Sequence, residues 1–187
     1  MGISLTKGQK ISLTKEAPGI SNVTVGLGWD TPETEVSFDL DTSIFCLNVN
    51  GKMTNEKDFI FFNNLQNANS SVVHNGDNLT GAGDGDDETI KISLNTVPTE
   101  IEKIVVVASI YDAENKRQNF GQVKNAYIRI VNDNGNTEVA KFDLSEDYST
   151  SYSIKMAEFY RHNGEWKFNS LGEGSKKEIS GFLADFQ

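Results

Sequence analysis

Val73-His-Asn-Gly-Asp-Asn-Leu-Thr-Gly-Ala-Gly-Asp-Gly-Asp-Asp-Glu-Thr-Ile-Lys-Ile-Ser-Leu94 joins an acidic, glycine-rich loop to a strand. Between Asp77 and Glu88 stand five acidic side chains, no basic one, and glycines at 81, 83 and 85. Carboxylates packed this closely repel one another unless a cation sits among them. Hard cations such as Ca²⁺ take oxygen ligands from carboxylates, amides and backbone carbonyls, and glycine lets the chain curl so that those oxygens converge. A solvated Asp- and Gly-rich surface loop is the alternative. The sequel favours the cation: Glu88 to Leu94 alternates polar and apolar, placing Ile90, Ile92 and Leu94 on the core face of a strand. The spacing is not that of an EF-hand, because Thr89 stands where that loop needs glycine and no acid follows at its twelfth place. Ligands from elsewhere in the chain are therefore expected.

Upstream, Asn22-Val-Thr-Val-Gly-Leu-Gly-Trp29 puts Val23, Val25, Leu27 and Trp29 on one face of a strand, and Val36, Phe38 and Leu40 continue the pattern. Asp39 and Asp41 then share the opposite face, either as solvated strand-end residues or around a cation shared with the acidic loop. Ile44 to Val49 leads to the turn pair Asn50-Gly51. Asp58-Phe-Ile-Phe-Phe-Asn-Asn64 is expected to be a central strand, closed by Asn63 and Asn64, whose amide oxygens are candidate neutral ligands. Ile3 to Thr6 and Lys10 to Thr14 read as two short strands about a turn at Gly8. Although Met1-Gly2-Ile3-Ser4-Leu5-Thr6 fits the loose N-myristoylation pattern, Ile3 and Leu5 are better read as strand residues.

Downstream, Ile101 to Tyr111 is the most hydrophobic strand, and Asp112 to Lys124 the longest non-strand stretch, with room for one helical turn. Ala126 to Val131 and Glu138 to Leu144 flank an Asn132-Asp-Asn-Gly turn, whose chemistry explains Asp133 without a metal. Ser153 to His162 and Glu165 to Leu171 flank Asn163-Gly164. Ser175-Lys-Lys-Glu178 reads as a capping box before Ile179, Phe182, Leu183 and Phe186 at helical spacing, which predicts a short helix packing across the sheets. About ten strands and one helix describe an all-β, two-sheet β-sandwich with a short C-terminal helix, one domain over residues 1–187.

The 187-residue chain has a formal net charge of −10, which opposes a nucleic-acid backbone as partner and direct insertion into an anionic membrane. One cysteine, Cys46, cannot form an internal disulfide, and no basic-then-apolar leader opens the sequence, so a cytoplasmic location is expected. The Asn-X-Ser/Thr matches at Asn22, Asn69 and Asn78 are idle without secretion.

Gly26-Leu-Gly-Trp-Asp30, Phe38-Asp-Leu-Asp41, Asp58 to Asn64, Gly76 to Glu88, Phe120-Gly-Gln-Val123, Glu158-Phe-Tyr-Arg161 and Glu165-Trp-Lys-Phe168 closely resemble the TerD family of tellurite-resistance and general stress proteins. The resemblance spans nearly the whole chain. It implies a calcium-binding β-sandwich of the bacterial cytoplasm, made under chemical stress and holding two Ca²⁺ ions. It also implies partners among other Ter proteins, including a TerC-like membrane protein. Carried over residue by residue, it gives Asp39 and Asp41, Asn64, and Asp77, Asp84, Asp86, Asp87 and Glu88 as metal ligands, with Gly76 and Leu79 as candidates through their carbonyls. Two departures stand out: Asn63, where an aromatic-rich run usually continues, and Leu79, where a polar or basic residue is common. Neither removes a carboxylate.

The function expected is a non-enzymatic, calcium-dependent binding or assembly protein of the stress response. Tellurite is an oxyanion, and a surface this acidic holds it poorly, so protection would be indirect. Three alternatives stand beside it. A metal-dependent hydrolase could use paired carboxylates as acid and base, but only His74 and His162 are available and no nucleophile arrangement appears. A calcium-dependent membrane-docking module would have only Leu79 and Ala82 as its apolar tip. A small-nucleotide binder follows from relatives described as cAMP-binding, which these residues do not confirm.

Overall fold

Val23, Val25, Leu27 and Trp29 are all buried, so the period of two in this segment does place one face of a strand on a core. The structure, a computed structural model, describes residues 2–30, 38–78, 85–143, 148 and 150–187. Among them the strands are β1 (Ile3–Ser4), β2 (Lys10–Ser12), β3 (Asn22–Asp30), β4 (Leu40–Leu47), β5 (Phe59–Ile60), β6 (Val72–His74), β7 (Glu88–Ser93), β8 (Lys103–Ile110), β9 (Lys124–Asn132), β10 (Thr137–Asp143), β11 (Ser153–His162) and β12 (Glu165–Ser175). The helices are short: α1 (Leu13–Glu16), α2 (Ala113–Lys116) and α3 (Ile179–Phe186).

The strands form two six-stranded sheets. The first runs β1-β10-β9-β3-β7-β6 and the second β2-β12-β11-β8-β4-β5. Pairing is antiparallel except between β1 and β10. One apolar layer fills the space between the sheets, with Val23, Val25, Leu27, Ile90, Ile92, Ile128 and Ile130 from the first meeting Ile44, Cys46, Ile104, Val106, Phe159 and Phe168 from the second. The expected sandwich and C-terminal helix are borne out.

β4 and β8 do not alternate because both their faces are buried. Phe45, Leu47, Val105 and Val107 point to the outside of the second sheet, where α3 covers them with Phe182, and with Ile179, Leu183 and Phe186 packed alongside. Sheets covered on both faces read as continuous apolar runs. The helix therefore lies on the outer face of one sheet rather than across both.

Four local expectations change. The Asp58–Asn64 run is not a central strand: Phe59 and Ile60 form a two-residue edge strand, followed by a tight Phe61–Asn64 bridge. Its apolar character serves the second cluster, where Phe59 stacks between Phe45 and Phe61 at centroid distances of 4.7 and 4.3 Å. β1 and β2 do not pair with each other but enter different sheets. Leu13 and Thr14 belong to α1, not to the second strand. The capping box before α3 is not formed, because Ser175 ends β12 and the helix cap is Glu178, three residues later, without a side-chain capping bond. The segment from Pro32 to Val36 and Leu144 lie outside the described residues.

Candidate metal centre

Asp39 and Asp41 stand at the start of β4 in the second sheet, while Asp77 follows β6 and Glu88 opens β7 in the first. The end of the sandwich brings the two pairs together. One carboxylate oxygen from each of Asp39, Asp41 and Asp77 lies within 4.8 Å of the other two. Oxygens held by one Ca²⁺ at about 2.3–2.6 Å lie at most about 5 Å apart, so this spacing suits a single hard cation.

The electrostatics carry the same signal. Asp41 is buried, which excludes the solvated strand-end reading for it. Burial, and then the charges of Glu88, Asp39 and Asp77, push its carboxyl up to about 8. Asp39 is raised by burial and by Glu88 against a lowering influence of Lys116, and Asp77 by burial, Glu88 and Asp39. Oδ1 of Asp39 is buried with no hydrogen-bond donor among the described residues. A buried acceptor without a partner costs about 1–3 kcal/mol, and a cation is one partner that removes the cost. The chemistry of this donor set, carboxylates without thiols or ring nitrogens, fits a hard ion rather than a transition metal.

Glu88 sits behind these three. Its Oε2 accepts the Thr42 backbone N–H at 2.6 Å, and Oε1 accepts that of Asn78 at 3.3 Å. His74, also buried, brings Nε2 to 3.7 Å from Glu88 Oε2, while its Nδ1 accepts the Gly76 N–H at 3.2 Å. His74 is thereby a support for the loop that begins at Gly76. Gly76 has φ +124°, a conformation that L side chains rarely adopt, which accounts for glycine at this bend.

The other expected ligands are placed differently. Asp87 Oδ2 accepts the Trp29 N–H at 2.9 Å, and Asp86 Oδ1 pairs with Arg129 Nε at 2.7 Å. Asn64 is not gathered with the carboxylates through its side chain: its amide donates to the Phe59 carbonyl, and its Oδ1 accepts from Lys57 Nζ at 3.2 Å. Leu79 and Asp84 lie outside the described residues. His162 is exposed at the tip of the β11–β12 hairpin.

Arg129, Tyr127 and the pair Gly26 and Gly28, which contact or make room for the acidic loop, were not legible as site residues. A signal existed. Glycines at alternate, outward positions of an otherwise apolar-patterned strand mark a place where something else approaches closely. No helix among the described residues is long and apolar enough to cross a membrane.

The TerD domain family matches residues 1–186. General stress protein 16U of Bacillus subtilis (strain 168) is 53% identical over 188 residues, covering 100% of this chain and 97% of its own. Tellurium resistance protein TerD of Serratia marcescens is 52% identical over 187 residues, again covering 100% and 97%. Among solved structures, a homologue of telluride resistance protein from Streptomyces coelicolor A3(2) superposes with a TM-score of 0.74 at 20% identity, over 88% of this chain and 96% of that one. That likeness concerns the fold. The relatives' names speak of resistance and stress, not of a reaction.

Proposed function

Since the chain belongs to the TerD family of tellurium-resistance and stress-response proteins, we infer that it acts in the cytoplasm as a calcium-binding, non-enzymatic member of that response. The observation that carries this reading is the convergence of Asp39, Asp41 and Asp77 from two sheets, with a buried oxygen on Asp39 that has no hydrogen-bond partner among the described residues. In this reading these three carboxylates would hold the ion, with the Gly76 carbonyl as a further candidate ligand. Glu88 fixes the geometry from behind. Asp84 and the Leu79 carbonyl are further candidate ligands on the family resemblance.

An ion bound by the folded protein and not by the unfolded chain stabilises the fold by mass action. It also converts a repelling acidic end of the sandwich into one that another protein can approach. Other Ter proteins, among them a TerC-like membrane protein, are the partners this reading assigns. This reading gives the carboxylates the roles of ligands and loop supports rather than of acid and base.

The test is calorimetric titration of chelator-treated protein with Ca²⁺ and, separately, Mg²⁺, alongside an Asp39→Asn, Asp41→Asn variant. Selective Ca²⁺ uptake that the variant loses supports the reading. Wild-type protein that takes up no Ca²⁺ overturns it.

A further inference from the structure

Among the described residues, the carboxylates of the acidic run differ in what holds them. On the outer face of the first sheet, the register of β3 with β9 sets Gly26 beside Arg129 and Gly28 beside Tyr127. A Cβ at Gly28 would sit 2.5 Å from the Tyr127 ring, and one at Gly26 would overlap the Asp86 carboxylate. The two glycines thus form a notch, and Asp86 lies in it. Its Oδ1 is 2.7 Å from Arg129 Nε and 3.1 Å from the Tyr127 hydroxyl, while Oδ2 rests against the backbone of β3. The same hydroxyl lies 2.9 Å from the Gly85 carbonyl, so its single proton serves either neighbour. Arg129 reaches Glu138 at 3.7 Å on its other side, and Lys141 Nζ lies 4.1 Å from the Tyr127 ring centroid. The next residues are fastened as well, since Asp87 N–H donates to the Leu27 carbonyl and Asp87 Oδ2 accepts from Trp29 N–H.

A carboxylate paired with a guanidinium and pressed on a glycine has little left to offer an ion. A cation beside Arg129 would also meet a like charge. We propose that Asp86 is a positioning residue rather than a metal ligand, seating residues 85–88 on a shelf made by Arg129, Tyr127 and Gly26 so that the chain through Glu88 meets Asp39, Asp41 and Asp77. The proposal rests on the calcium reading and divides the acidic run into residues that anchor and residues that ligate. Partners of this kind, which orient ligands without touching metal, typically change metal affinity about 10- to 100-fold when removed.

The two roles predict opposite responses at Arg129. If Asp86 were a ligand, Arg129→Gln would free it of a competitor and leave Ca²⁺ affinity unchanged or tighter. If Asp86 is an anchor, Arg129→Gln weakens binding as Asp86→Asn does. The experiment titrates Ca²⁺ calorimetrically into chelator-treated full chain of wild type, Asp86→Asn, Arg129→Gln, the double variant and Gly26→Ala. The expected result is about 10-fold weaker binding in each single variant with the number of ions unchanged, and a double variant no weaker than either single one. Gly26→Ala reaches the same end without altering charge. Arg129→Lys, which keeps the charge but not the fork, should restore part of the affinity, and serves in place of Arg129→Gln should that variant not fold. Loss of a whole ion in Asp86→Asn, with Arg129→Gln unchanged or tighter, overturns the proposal. Absence of uptake by wild type is seen before any variant is compared, and overturns the calcium reading itself.

Discussion

Replacing Asp41 by Asn should flatten the pH dependence of stability of the metal-free protein. Asp41 has its carboxyl pushed from 3.8 to about 8, first by burial and then by Glu88, Asp39 and Asp77. Because the folded value lies above the unfolded one, the folded state holds the proton more tightly. The associated stability is fully present below 3.8 and is lost as the pH rises through about 8. The span of about 4 units, at about 1.36 kcal/mol each, amounts to roughly 6 kcal/mol across the full range. Between about pH 5 and pH 7.5 the loss is about 3 kcal/mol, a large part of the roughly 5–15 kcal/mol that holds a domain folded. Asp39, Asp77 and Asp87 are raised too and add with the same sign. Asp185, whose carboxyl is lowered by Lys177, acts in the opposite sense but is exposed to solvent screening. The assay is urea unfolding in chelator, followed by the fluorescence of the buried Trp29 and Trp166. Wild type should lose stability steadily over this interval, Asp41→Asn much less, and saturating Ca²⁺ should abolish the wild-type loss. Metal-free wild type that is equally stable or more stable at the higher pH would refute the reasoning, as would an Asn variant with the wild-type slope.

Phe182→Ala removes the fully covered ring of α3 from the outer face of the second sheet; it should cost about 3–5 kcal/mol in urea unfolding while Ca²⁺ affinity in the folded protein stays at the wild-type level. Glu88→Ala leaves the Thr42 amide without its acceptor, and a loss of about 1–3 kcal/mol together with faster hydrogen exchange at the Thr42 amide is expected. Gly28→Ala presses a methyl group on the Tyr127 ring; a destabilisation of about 1–3 kcal/mol should appear in thermal unfolding, whereas Tyr127→Ala in the same background should recover part of it.

How much of this was legible depends on how many faces of each element are buried. β3 alternates because only one of its faces meets the core, so its reading needed nothing beyond period. β4 and β8 are covered on both sides, and their continuous apolar runs announced strands without announcing that α3 lies over the second face. The same cover misled at Asp58 to Asn64, where an aromatic edge strand under a helix has the composition of a central strand. Ser175 has the spacing of a cap, yet β12 continues through it, paired with Ser153. Within the site, Asp39, Asp41 and Asp77 were visible as candidate ligands, with a solvated role open beside that one until the burial of Asp41 and their convergence were seen. The division of labour at Asp86 and Asp87 was not, since it depends on Arg129 and Trp29, which sequence distance hides. Asn64 was drawn in by its motif but spends its amide on Lys57 and Phe59.

The hydrogen bond from the Thr42 amide of one sheet to Glu88 of the other, beside carboxylates drawn from both, has a bearing on how such a chain can be fastened shut. With Cys46 alone and buried, no covalent bridge can tie the layers. An ion among Asp39, Asp41 and Asp77 would be a staple between them that a reducing compartment cannot cut. Like a disulfide it would hold distant segments together, but it could be withdrawn by a chelator and set again without any change in covalent structure.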